Sequence, residues 1–182
     1  MDYKFFQIIN NLAGRWNGLD LIGIFCAKYL LWAMMIAVLG FLVIYKDKAE
    51  QKTHLKVTVK TFFAAFLGYF LKIAIQFFYV RPRPFVSHEV MQLIDKSADP
   101  SFPSGHTVLA FAIAFSIWFY NKKLGSIFLL LALLVGLGRI YVGVHYPLDV
   151  LGGVLVGALS AFVVKGYLSS ISYSCIWHKK KK

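Results

Sequence analysis

Five apolar runs follow one another along the chain, separated by short basic or polar segments: Leu21–Tyr45, Leu55–Val80, Ser104–Tyr120, Leu124 to about Tyr141, and Pro147 to about Ser170. Hydrocarbon offers the backbone no hydrogen-bond partner. Such a run must satisfy its own N–H and C=O groups, and the helix does so within one segment. About 20 apolar residues cross a bilayer core of about 30 Å, and only the third run is short. The sequence therefore predicts an all-α polytopic membrane bundle of about five transmembrane helices. With 59% of its 182 residues hydrophobic, the chain is richer in apolar residues than soluble domains, which have about 45–50%. Its length suits one domain of several spans, so residues 1–182 read as a single integral-membrane domain.

Lys and Arg number 20 against 8 acidic residues, a net charge of +12. No aromatic-interleaved basic patch forms, which argues against a nucleic-acid partner. The lysines fall in separate segments between the runs: Lys46, Lys48, Lys52 and Lys56, then Lys122-Lys123, then Lys179 to Lys182. The positive-inside rule puts all three on the cytoplasmic side. Alternation across five spans then gathers the N-terminus, the Arg81–Pro103 loop and the Arg139–Pro147 loop at the outer face. Lys28, inside the first run, is expected to snorkel to an interface. Phe5, Phe6, Ile8, Ile9 and Leu12 recur at helical spacing, predicting a short N-terminal interfacial helix. Met1–Leu12 lacks the basic start and continuous apolar core of a signal peptide. Asn17-Gly18 reads as a turn, with Asp20 capping the first span. Gly153 and Gly157 form a GxxxG pair suited to close helix packing. Cys26 and Cys175 read as buried free thiols.

Ionisable groups in apolar surroundings are functional hypotheses by default. Arg139, His145 and Asp149 lie between the fourth and fifth runs. His145 reads as a nucleophile, Asp149 as its orienter one helical turn on, and Arg139 as a clamp on an anion. Arg81-Pro82-Arg83-Pro84 offers guanidinium groups that can grip a phosphate bidentately. Pro103-Ser104-Gly105-His106 opens the third run, where a helix N-terminus presents free N–H groups to an anion. There Gly105 admits a phosphate to the backbone, the Ser104 hydroxyl can donate, and His106 lies beside the anion. Each piece also has a bland reading: a charged juxtamembrane loop, a capped helix start, a favourable acid at a helix N-terminus. One phosphate site accounts for all of them at one depth and on one face.

Arg83-Pro84, the Pro103–His106 box, and Arg139 followed by His145 and Asp149 resemble the three-part signature of the type 2 phosphatidic acid phosphatase family. The span pattern, the Arg83-Pro84-Phe85-Val86 start of the outer loop and the Pro100-Ser101-Phe102-Pro103-Ser104 run are similar to its bacterial bacitracin-resistance branch, the undecaprenyl-diphosphate phosphatases. The resemblance implies a membrane enzyme without metal or cofactor, acting on a membrane lipid substrate in the bilayer. His145 would form a phosphohistidine, Asp149 would stabilise it, and His106 would protonate the leaving group and then activate water. Arg83, Arg139, Ser104 and the Gly105 amide would bind phosphoryl oxygens. The implied activity is release of phosphate from undecaprenyl diphosphate at the outer face of a bacterial plasma membrane. The alternatives are another lipid phosphate (phosphatidylglycerol phosphate, phosphatidate or diacylglycerol diphosphate) or, in a different class, a non-enzymatic lipid-diphosphate-binding or transporter-associated module. Two positions depart from the family pattern. Gln76 stands where the first box ordinarily opens on Lys. Arg81 is the expected substitute, because Lys72 should lean away from the outer face. Gly138 precedes Arg139 where the family often has Ser, which is expected to remove one hydrogen bond.

Overall fold

The computed structural model describes residues 1–44 and 48–179. Residues 45–47 of the first basic segment, residues 180–182 of the tail and the side chain of Cys175 lie outside the described residues. Among the described residues every regular element is a helix. Cys26 is half-buried and free.

Helix α1 (Asp2–Asn10) turns Phe6 and Asn10 inward and leaves Phe5 and Ile8 exposed. The Asn10 side chain donates to the carbonyls of Met91 (2.8 Å) and Tyr141 (2.9 Å) and accepts from the Met91 N–H (3.1 Å). Phe6 packs edge-on against Tyr146. The helix is thereby docked on the bundle by a polar residue and an aromatic one.

Asn17-Gly18 does not form the expected turn. Both lie in the first turn of α2 (Asn17–Ile24), where polar residues and Gly are tolerated. The reversal comes earlier, at Gly14, whose φ of 76° favours glycine. Asp20 does not cap a helix; it accepts from the Gly14 N–H (3.0 Å) and the Tyr141 hydroxyl (2.6 Å). A π-helical turn at Phe25–Tyr29 joins α2 to α3 (Leu30–Ile44). Lys28 is exposed on that turn.

Among the described residues, four apolar stretches are long enough to cross a bilayer: Asn17–Gly40, Gln51–Phe78 within α4 (Lys48–Phe78), Lys122–Tyr141, which is α7, and Pro147–Tyr167 within α8 (Pro147–Lys179). Phe66, Phe70 and Phe77 of α4 and Leu155 and Phe162 of α8 face outward, as a lipid-facing surface requires. The fifth, α6 (Gly105–Tyr120), has 16 residues. At 1.5 Å per residue it reaches only about 24 Å. It can be short because it is the central helix, packed by α4, α7 and α8. Val108, Ala110, Ala112, Ile113, Ala114 and Ile117 are all fully buried. The GxxxG pair packs closely: a Cβ at Gly153 would sit 2.9 Å from the Ser104 carbonyl oxygen, and one at Gly157 would sit 2.5 Å from that of Val108.

Only Asn121 separates α6 from α7. Its side chain accepts the Leu124 N–H (3.0 Å), so Lys122 and Lys123 already belong to α7. At the other end of the bundle, Gly143 (φ 84°) stops α7 and turns the chain into the 142–146 loop. The segment 79–104, with the short helix α5 (Pro84–Ser87), docks there through Leu93 N–H to Val142 O (3.2 Å) and Ser104 N–H to Asp149 O (3.0 Å). Helix α1, the 79–104 segment and the start of α8 therefore meet at one end.

Candidate active site

His145 sits in the 142–146 loop, 2% exposed. Its Nε2 lies 3.1 Å from Arg83 Nη1. A guanidinium nitrogen can only donate, so Nε2 carries the lone pair and Nδ1 the proton. Nδ1 faces the Ser101 hydroxyl oxygen at 3.3 Å and Asp149 Oδ2 at 3.6 Å. The second distance is too long for a hydrogen bond. Ser101 fills the gap: its hydroxyl donates to Asp149 Oδ2 and its oxygen can accept from Nδ1–H. Burial pushes the His145 pKa down to about 3, with the charges of Arg139 and Arg83 adding to it and Asp149 opposing. The imidazole is thus neutral at physiological pH with its lone pair placed on Nε2, the state a nucleophile needs.

Asp149 is the third residue of α8 and fully buried. Its Oδ2 also accepts the Tyr146 N–H (2.8 Å), the acid's half of a capping box. Its Oδ1 accepts from Arg81 Nη1 (2.8 Å). Helix-start acid and partner of the histidine are therefore one role: the cap fixes the carboxylate where the His145 pair needs it.

Arg139 lies in the last turn of α7 and is 2% exposed. Its Nη1 donates to the Ala27 carbonyl (3.1 Å), which the π-helical turn presents. Its Nε and Nη2 have no hydrogen-bond partner among the described residues. Each buried donor left so costs about 1–3 kcal/mol, and a guanidinium paired on one side with two donors free is built to take an anion. Gly138 is set by this contact: a Cβ there would lie 2.8 Å from the Ala27 backbone nitrogen. A side chain would push α7 away from the turn that holds Arg139.

Arg83 is buried, with every guanidinium nitrogen hydrogen-bonded and one of its five N–H groups, on Nη2, left to spare. Nε and Nη2 donate to the carbonyl (3.0 Å) and carboxylate (3.1 Å) of Asp99, and Nη1 to Val144 O (2.8 Å) beside His145. Burial works against the Asp99 charge, but the Ser97 hydrogen bond, with Arg83 and Lys96, holds its carboxyl well below the usual range. Ser104 accepts from the Thr107 hydroxyl (3.0 Å), which leaves its own proton to donate. Gly105 begins α6, so its N–H is one of the helix's unpaired donors. His106, half-buried, lies within the fields of Arg139, His145 and Arg83.

Two expected phosphate contacts are occupied elsewhere. Arg81 turns to Asp149 and to Asp2 (2.6 Å); burial opposes its charge, yet these two carboxylates raise its pKa. Gln76 donates to the Pro100 carbonyl (2.8 Å) and braces the loop. Lys72, expected to lean away, instead brings Cε within 3.6 Å of where a Gly105 Cβ would stand. Its long side chain outreaches the tilt of its Cα–Cβ bond, and α6 begins level with it. Sequence reasoning assigned no role to Ser101, Asp99 or Asp2. Only Ser101 carried a signal, a serine between prolines three residues before the Ser-Gly-His box. Among the described residues no three His, Cys, Asp or Glu side chains are grouped to share a metal ion.

The PAP2 superfamily model matches residues 54–172. Undecaprenyl-diphosphatase BcrC of Bacillus subtilis (strain 168) is 36% identical over 163 residues, covering 90% of this chain and 82% of that protein. The crystal structure of Aquifex aeolicus LpxE superposes with a TM-score of 0.72 at 31% identity, covering 91% of this chain and 95% of the other. That of the first transmembrane PAP2 type phosphatidylglycerolphosphate phosphatase from Bacillus subtilis gives a TM-score of 0.62 at 27% identity, covering 93% and 87%.

Proposed function

This chain belongs to the PAP2 superfamily, as a membrane lipid phosphatase, and from that premise we propose that it hydrolyses undecaprenyl diphosphate at the outer face of a bacterial plasma membrane. The observation that carries the chemistry is a neutral His145 with its lone pair on Nε2, against Arg83, together with the two unpartnered donor nitrogens of Arg139. The polyprenyl substrate is supported by the likeness to BcrC over most of both chains. The whole chain, 1–182, acts as one integral-membrane unit.

Phosphoryl transfer needs alignment and charge stabilisation more than covalent assistance. His145 Nε2 attacks the terminal phosphorus. The bond from that phosphorus to the bridging oxygen breaks, and its electron pair leaves with the polyprenyl monophosphate, which takes a proton from His106, protonated once the bound diphosphate's negative charge offsets the fields of Arg139 and Arg83. Asp149, with Ser101, stabilises the charge on the phosphorylated imidazole. Arg139, Arg83, Ser104, Lys72 and the Gly105 N–H receive the phosphoryl oxygens. His106 then deprotonates a water that attacks phosphorus, the N–P bond breaks, and inorganic phosphate departs.

The test is phosphate release from undecaprenyl diphosphate by the purified protein in detergent. Phosphatidylglycerol phosphate, phosphatidate and diacylglycerol diphosphate are run alongside. Preference for the polyprenyl diphosphate supports the assignment, and preference for a glycerolipid transfers it. Wild-type turnover in H145A refutes the mechanism, whereas antibiotic protection that survives loss of His106 and His145 favours a non-enzymatic binder. For orientation, S97C should react with a membrane-impermeant thiol reagent on intact cells and K123C should not; the reverse pattern places the site inside.

A further inference from the structure

The N-terminal helix α1 lies outside residues 54–172, which the family model matches, yet it reaches the catalytic pair. Asp2 Oδ2 accepts from Arg81 Nη2 at 2.6 Å, and Arg81 Nη1 donates to Asp149 Oδ1 at 2.8 Å. Asp2 Oδ1 accepts the Leu148 N–H at 3.0 Å, one residue before Asp149. The Arg81 guanidinium also lies over the Tyr146 ring, 4.2 Å from its centroid. Asp2 and Arg81 are mostly shielded, at 14% and 20% side-chain exposure, and Asp149 is completely so.

We infer that Asp2 is a positioning residue for the phosphatase reaction, acting on Asp149 through Arg81. This rests on the reading of Asp149 as the partner of His145. A buried carboxylate closed against a single guanidinium forms a neutral pair. Its cation then opposes the positive charge that develops on His145 as Nε2 bonds to phosphorus. A second carboxylate on the same guanidinium changes that sum. The row Asp2, Arg81, Asp149 alternates minus, plus, minus, and one net negative charge remains beside the imidazole. Asp2 supplies that second carboxylate. It also caps α8 from another helix, giving the Leu148 N–H an acceptor where the helix dipole favours an acid. The cap holds Asp149 in register with Ser101 and His145. The N-terminal helix is therefore part of the active site.

The experiment is a double-mutant cycle on the full chain, with D2N, R81M and the double variant, plus D2E, assayed for phosphate release from undecaprenyl diphosphate. D2N removes the charge and keeps the shape. Its kcat is expected to fall about tenfold, on the scale of one charge-assisted hydrogen bond, with KM nearly unchanged because no substrate contact is lost. D2E should recover most of the loss. In the R81M background D2N should have no further effect, since the route to Asp149 is already cut. Wild-type kcat in D2N, or an equal loss in both backgrounds, overturns the inference. If R81M does not fold, D2N and D2E decide by themselves, and an equal loss in both overturns it. H145A is run in parallel. Activity surviving there sinks the underlying mechanism, whereas an inactive H145A beside a normal D2N sinks only the role of Asp2.

Discussion

Ser101→Ala isolates the contact that joins the proposed nucleophile, His145, to its proposed orienter, Asp149. At 3.6 Å the His145 Nδ1 to Asp149 Oδ2 separation is too long for a hydrogen bond, while the Ser101 oxygen is 3.3 Å from Nδ1 and its hydroxyl donates to Oδ2. Alanine removes both contacts and leaves Asp149 with Tyr146 N–H and Arg81. A hydrogen bond to a charged group is worth about 1.5–3 kcal/mol. If that is lost where the imidazole becomes cationic, kcat falls about 10- to 150-fold at 1.36 kcal/mol per decade. KM should barely move, because Ser101 faces Nδ1 at the back of the imidazole and not the attacking Nε2. The assay is steady-state phosphate release, paired with single-turnover trapping of the phosphorylated enzyme, where formation of the intermediate should slow by the same factor. Thermal unfolding in the same detergent checks the fold. A folded S101A with kcat within twofold of wild type would show that His145 and Asp149 pair directly in the working enzyme, and the relay through Ser101 would be wrong.

Arg139→Met deletes the two free donors and should lower kcat/KM by about 10²–10³, as loss of a preorganised oxyanion donor does; phosphate release measures it. Lys72→Met should lower kcat/KM about tenfold, the scale of one charged contact, whereas Gln76→Lys should not raise it, because that position is turned to Pro100. Gly138→Ser places a Cβ against the backbone of the π-helical turn and should cost about 1–3 kcal/mol, read as a lower midpoint in thermal unfolding. With its folded pKa near 3 against an ordinary 6.5, His145 should show imidazole nitrogen shifts of a neutral Nδ1–H tautomer from pH 8 to pH 5. Because that pKa is lowered on folding, its contribution to stability is present above about pH 6.5 and is lost as pH falls toward 3.

Helix order and the meeting of the polar loops at one end were legible because apolar runs and charge bias act on whole segments. The GxxxG spacing likewise translated into close packing of α8 on α6. Side-chain reach across helices was not legible. Lys72 was judged from the tilt of its own Cα–Cβ bond, but its distance to Gly105 depends on where α6 begins against α4, and no local pattern records that. Arg81 illustrates the same limit. An arginine in a site loop is chemically fit for phosphate, and only the fold reveals Asp2, 79 positions away, and Asp149, 68 away, competing for it. At Asn17-Gly18 a dipeptide common in turns gave way to a helix start, because Gly14 had already reversed the chain.

The groups assigned to the chemistry all lie within residues 54–172, the part matched by the family model. Several supports that hold them come from before it. The Ala27 carbonyl, offered by a π-helical turn, holds one side of Arg139 and leaves the other free. Asn10 ties the Met91 stretch of the 79–104 segment to the end of α7. Asp2 binds Arg81 and the start of α8. A guanidinium can keep free donors in a buried place only if the rest of it is fixed by groups that cannot follow the substrate. A neutral histidine likewise needs its orienter held from behind. In this chain those anchors belong to α1 and the first long helix. The chemistry of the matched segment is therefore incomplete without residues 1–44, and excising them should leave the motif residues present but no longer aimed.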